Sequence, residues 1–252
     1  MTSAATEQHA TEPQRFAFAA EERDAVYRAI HRRRDVRLFR DDPVPDALLA
    51  QVLAAGHHAP SVGFMQPWSF MLIRSAETRS RVKDLYLRER QAAACFFDEP
   101  RRSQYLGMKL EGICEAPVNL CVTCDPTRAG TQVLGRNSQP ETDVYSTCLA
   151  VQNIWLAARA EGLGVGWVSI LKTGELRDIL AIPPHVVPVA YLCIGWPHDL
   201  PARPMLQEAG WRDRLPLRDV LRGERFDTAP DIAGDALAAA EQAAQRIAAE
   251  SR

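Results

Sequence analysis

Four short apolar runs constrain this chain most: residues 69–73, 117–123, 165–170 and 186–194. Each has the length and content of a core strand, and 186–194 is almost wholly apolar. Helical spacing fills the stretches between them. Residues 21–34 place Ala25, Val26, Ala29 and Ile30 on one side, and 47–55 form a second helix stopped by Gly56. Residues 76–94 read as a charged amphipathic helix, 96–112 as helical pieces, and 175–180 as a short helix ended by Pro183-Pro184. The strongest pattern is 142–161, where Val144, Cys148, Val151, Ile154, Trp155 and Ala158 recur near helical spacing and Gly162 follows the end. It is apolar nearly all round, so it is expected to be the central helix. Residues 197–204 read as an extended arm. This order predicts an α+β fold with a central mixed β-sheet flanked by helices.

A chain of 252 residues allows one large domain or two small ones, and no linker or repeat divides this one. The expected organisation is a disordered tail at 1–20, one domain at 21–225, and an Ala-rich tail at 226–252. That tail is helical from Asp235 and either frays or packs on a partner. A monomer of this size can bury roughly 73% of its extended surface, enough for a core without disulfides or metals. The 46% hydrophobic and 25% charged content excludes a largely disordered chain. A net charge of -2 gives no bulk attraction to nucleic acid or an anionic membrane. No 18-residue apolar run and no secretory signal pattern occur, so a cytoplasmic protein is expected. Cys121-Val-Thr-Cys124 has redox or zinc spacing, but no second pair accompanies it, so its expected role is structural and no metal is expected.

Three segments carry chemistry. Arg32-Arg33-Arg34-Asp35-Val36-Arg37 ends the first helix. It is a solvated cationic helix end, an anion site whose guanidiniums fork onto phosphate oxygens, or, weakly, a nucleic-acid patch. Ala59-Pro60-Ser61 and Gln66-Pro67-Trp68 bracket a loop that leads into a strand, where backbone and short polar side chains face a ligand or merely connect. Gly162-Leu-Gly-Val-Gly-Trp167 follows a helix and enters a strand, the reverse of a dinucleotide fingerprint. Its glycines instead permit close backbone approach to a flat ligand.

Taken together and in this order, Arg33 to Phe39, 59–68 and 162–167 resemble the FMN-dependent nitroreductase-like family over residues 21–215. Asp35 stands where that family usually has Ser, and Phe64 where it usually has Asn. With 109–113, 120–125 and 167–169, these variants resemble its flavin-destroying branch. The resemblance implies an intertwined homodimer with FMN at the subunit interface, where Trp196 and Trp211 are candidates to pack on the second subunit. It implies that Arg33, Arg34, Val36 and Arg37 line the FMN phosphate and ribityl chain, with Asp35 among them. Ser61 bonds the cofactor, Leu110 comes from a covering segment, Val168 and Ser169 face the ring, and Arg203 is a second phosphate ligand.

The activity implied is fragmentation of reduced FMN by O2, yielding dimethylbenzimidazole and erythrose 4-phosphate for the cobalamin lower ligand. Asp35 is the candidate base at the first ribityl carbon, favoured in its ionised form by neighbouring arginines. The bland alternative is pairing with Arg34 or Arg37. Ser169 is the candidate hydroxyl at the reactive edge, or else a strand-end Ser bonded to backbone. Phe64 with Phe96 or Phe97 is expected to tighten closure. Reduced flavin then comes from a separate NAD(P)H-flavin reductase. The rival expectations are an NAD(P)H-dependent nitroreductase or flavin reductase, and an FMN-binding protein without chemistry.

Overall fold

The computed structural model describes residues 15–249. Four strands form one sheet in the order β1-β2-β4-β3: β1 (Trp68–Ile73), β2 (Val118–Cys124), β3 (Gly164–Trp167) and β4 (Val187–Gly195). All three pairings are antiparallel. The expected mixed character comes down to a parallel bridge between Asp35 and Val165 at the β3 edge. The main helices are α1 (Ala20–Arg32), α2 (Asp46–His57), α3 (Ala76–Ala94), α4 (Arg101–Gly107), α5 (Thr142–Ala160) and α6 (Thr173–Ile179). Short α7 (Met205–Glu208) and α8 (Leu217–Val220) precede α9 (Gly234–Ala249).

Helices cover both faces of the sheet. Leu120, Val122, Leu192 and Ile194 pack with Val52, Ala150, Ile154 and Ala158 of α2 and α5. Cys121, Tyr191 and Cys193 point the other way, onto Val82, Leu85, Tyr86 and Leu176 of α3 and α6. Burial on both faces is why β2 and β4 read as continuous apolar runs rather than alternating ones. It also puts Cys121 and Cys124 on opposite sides of β2, since a three-residue step in a strand changes face. Gly56 does not stop α2 but lies inside it. A Cβ there would come within 2.5 Å of the Ile154 side chain, so glycine lets α2 and α5 approach closely.

Three expectations change. β3 is shorter than 165–170 because the chain leaves the sheet after Trp167, although the Val168 N–H still donates to Tyr191 O at 2.8 Å. α5 is central but not buried all round: Tyr145 and Leu149 form an exposed stripe. α9 packs against α1 of its own chain. Of the expected N-terminal tail, residues 1–14 lie outside the described residues, and α1 already begins at Ala20. Among the described residues, no helix is long and apolar enough to cross a membrane.

Candidate functional site

The arginine run turns from helix to strand. α1 ends at Arg32, Arg33 is extended, and the chain then lies along β3, with the Val36 N–H donating to Val165 O at 3.0 Å. The Arg33 guanidinium sits 4.7 Å from the Trp155 ring centroid, a cation–π contact with α5. Arg34 is only 7% exposed. It donates to the carbonyls of His31 (2.8 Å), Arg33 (2.7 Å), Pro201 (3.0 Å) and Ala202. These bonds occupy four of its N–H donors and tie the extended arm across the end of α1. Burial, then the charges of Arg33, Arg214, Arg159 and Arg32, hold its pKa below the ordinary arginine value. Positive charge is therefore concentrated here, as an anion site requires.

Asp35 and Arg37 follow on the same extended segment. The Asp35 side chain is 45% exposed, and its Oδ1 accepts from Arg37 Nη2 at 3.1 Å, so the expected pairing partner is Arg37 rather than Arg34. The Arg37 side chain is only 13% exposed. Its Nε and Nη1 are buried and find no hydrogen-bond partner among the described residues. Such orphaned donors are costly unless a ligand accepts from them. Gly166 makes room for this arrangement: a Cβ there would lie 2.2 Å from Val36 O and 2.6 Å from Arg37 Nη1. Val36 itself turns inward, onto the α3/α6 face of the core. Arg203 is exposed on the arm, two residues past Pro201, and pairs loosely with Glu208 at 3.8 Å.

The other expected residues approach from separate elements. Ser61 Oγ accepts from Gln66 N at 3.0 Å and so braces its own loop. That loop carries positive φ at Gly63 (51°), Phe64 (55°) and Gln66 (49°), conformations a non-glycine residue holds only under tertiary constraint. Phe64 is 81% exposed at its tip, and Phe96 is also exposed, so neither closes anything within one chain. Phe97 instead packs on Tyr105 and Trp211, at 5.1 and 5.3 Å between ring centroids. Trp211 thus belongs to a cluster inside its own chain, and Trp196 Nε1 donates to Pro43 O at 3.2 Å. Leu110 is half-buried against the α3/α6 side and Val168 is fully buried there. Ser169 is exposed, and its hydroxyl takes no partner from the described residues, so it is not tied to backbone.

Glu111 is the feature that sequence reasoning missed. It is 3% exposed and accepts from Lys83 Nζ, from Lys109 Nζ at 3.2 Å and from Ile113 N at 2.8 Å. A signal existed: lysine occurs only at 83, 109 and 172 in an arginine-rich chain, and two of those three meet at this carboxylate. Burial pushes the Glu111 carboxyl up, but the Lys83 hydrogen bond, the Ile113 N–H and the two ammonium charges together hold it below its usual value.

The donor set is suited to FMN: cationic groups at the α1 end and arm, orphaned Arg37 donors, a partly open carboxylate and a free hydroxyl. The nitroreductase family model matches residues 30–196. A 5,6-dimethylbenzimidazole synthase of Rhodospirillum rubrum is 42% identical over 194 residues, covering 77% of this chain and 92% of that protein. Its counterpart in Rhodobacter capsulatus is 39% identical over 199 residues, covering 79% and 96%. Among solved structures, iodotyrosine deiodinase bound to FMN and 3-iodo-L-tyrosine superposes with a TM-score of 0.63 at 20% identity, covering 80% of this chain and 100% of that one. The NADPH:FMN oxidoreductase of Vibrio harveyi complexed with NAD+ gives 0.60 at 18% identity, covering 88% and 86%. At such identities the structures speak for the fold alone.

Proposed function

The chain belongs to the nitroreductase family, and on that premise we propose that it is a 5,6-dimethylbenzimidazole synthase that takes reduced FMN as substrate and O2 as co-substrate. The observation that carries this reading is the Asp35–Arg37 pair. Its carboxylate is partly open, while the buried guanidinium beside it has Nε and Nη1 without hydrogen-bond partners among the described residues. Reduced FMN, when bound, supplies the electrons for O2 and the ring system that becomes dimethylbenzimidazole.

The chain's own residues then divide the work. Arg33, Arg37 and Arg203 supply charge to the phosphate and ribityl oxygens. Arg34 has few donors left for ligand and serves by fixing the arm that carries Arg203. Gly166 lets the backbone of β3 lie against that binding edge. Asp35 accepts a proton from the first ribityl carbon, a general-base role. The Ser169 hydroxyl hydrogen-bonds the ligand at the far side, with the Val168 backbone beneath it. Leu110 and its segment exclude water, which keeps the reaction from draining into H2O2.

A second copy of the chain completes the site. The exposed apolar residues Tyr145 and Leu149 of α5, Val26 and Ile30 of α1, and the strained loop tip Phe64 support that reading. A separate NAD(P)H-flavin reductase supplies the reduced flavin.

The test is anaerobic loading with chemically reduced FMN, exposure to O2, and chromatography of the products. Stoichiometric dimethylbenzimidazole with loss of flavin absorbance is expected. Full recovery of oxidised FMN with H2O2 would reject the assignment in favour of a flavin-conserving reductase.

A further inference from the structure

We propose that Glu111 is a positioning residue: its buried carboxylate clamps the 109–113 segment onto α3 and so sets how tightly the flavin site is closed. The proposal rests on the flavin-site reading above. Two ammonium groups and a backbone N–H converge on this one carboxylate. Lys83 reaches it from α3, and Lys109 from the segment itself, bonding also to Glu115. On the far side, Asn119 Nδ2 of β2 donates to Ile113 O at 3.0 Å. The segment is thus tied to a helix at one end and to the sheet at the other, with Leu110 held between Lys109 and Glu111.

The clamped segment presses directly on the extended segment that carries Asp35 and Arg37. A Cβ at Gly112 would lie 2.5 Å from the Phe39 ring and 3.0 Å from Arg37 O. Any lift of the segment therefore loosens its packing on the Phe39 ring and on the backbone of Arg37, the residue whose side chain carries the orphaned donors. Glutamine at 111 keeps the volume but removes the charge that gathers both lysines. An ammonium held by a neutral amide is a weaker tie than one held by a carboxylate.

The test compares wild type with Glu111→Gln, both loaded with oxidised FMN. Hydrogen exchange at 110–113 should rise at least about tenfold, the opening freed by losing one charge-assisted hydrogen bond. Iodide quenching of bound-flavin fluorescence should rise with it. After reduction and O2, product should shift from dimethylbenzimidazole toward H2O2 and oxidised FMN. Lys83→Met should reproduce these effects, and the double variant should add little to either. A lowered Tm with unchanged exchange and iodide access in the folded holo-protein would overturn the proposal, because a merely structural carboxylate behaves that way. Should Glu111→Gln not fold, Lys109→Met leaves the Lys83 bond in place and carries a smaller effect of the same sign. If wild type makes no dimethylbenzimidazole, the functional reading fails, while exchange and quenching still decide the clamp.

Discussion

Asp35 pairs with Arg37 and is proposed as the base, and one substitution separates the two. As a partner of Arg37 it needs only an acceptor oxygen, which Asn retains; as a base it needs a carboxylate, which Asn lacks. In the single-turnover assay, Asp35→Asn should keep FMN affinity within about fivefold, since exposed ion pairs contribute ~0.2–1 kcal/mol. Dimethylbenzimidazole formation should fall at least ~100-fold, the usual worth of a general base. Product at the wild-type rate would remove Asp35 from the mechanism. Asp35 and Ser169 stood out as candidates because they lie within or beside motifs. Arg34 was legible as part of the run but not in its role, which depends on carbonyls 167 and 168 residues away. Glu111 stayed hidden for the same reason, with Lys83 28 residues back on α3. Glu111 also has a pH signature. Its folded carboxyl titrates below the ordinary 4.5, so its contribution to stability is complete above that value and is lost as pH falls through the lower folded one. Lys109 titrates above 10.5 when folded, because bonds to Glu115 and Glu111 outweigh its burial, so its share is complete below 10.5 and fades as pH rises further. Melting curves of wild type and Glu111→Gln should therefore converge as pH falls below 4.5 and through the lower folded value.

Most elements follow from local pattern, and the exceptions have physical causes. The strands were found because β2 and β4 are covered on both faces. β3 was overdrawn because its apolar letters continue past the point where pairing with β4 ends at Trp167. Gly56 was misread because a helix-stopping glycine and a close-packing glycine look alike until the neighbouring helix is in place. The arm at 197–204 was legible as extended but not as tethered. Replacing its tether, Arg34→Met, should cost about 2–4 kcal/mol, given several hydrogen bonds to a charged donor near 1.5–3 kcal/mol each with partial compensation by burial of the methionine. It should also raise proteolytic cleavage within the arm ahead of global unfolding. Unchanged denaturant midpoint and protease pattern would show that the four carbonyl bonds do not hold the arm.

The whole molecule leaves apolar surface uncovered where a second copy would sit. Tyr145 and Leu149 are exposed along α5, while the same helix packs its other side into the core. Sedimentation should therefore give a dimer for wild type. Leu149→Glu should shift it toward monomer and weaken FMN binding in parallel, whereas a wild-type monomer that binds FMN fully would reject the interface. This is the scale at which sequence speaks least: exposed and buried apolar residues share one alphabet, and only packing sorts them. Packing also decides the fate of the paired sulfurs in β2. The sheet stands between Cys121 and Cys124, so joining them would require tearing out its second strand. Burial pushes Cys121 up to about 12 and Cys124 to about 11. At neutral pH no more than about one such thiol in 10⁴ is the thiolate that peroxides attack. A protein proposed to bring O2 to a reduced flavin thereby keeps these two sulfurs in their least oxidisable form, inside the strand that forms its core.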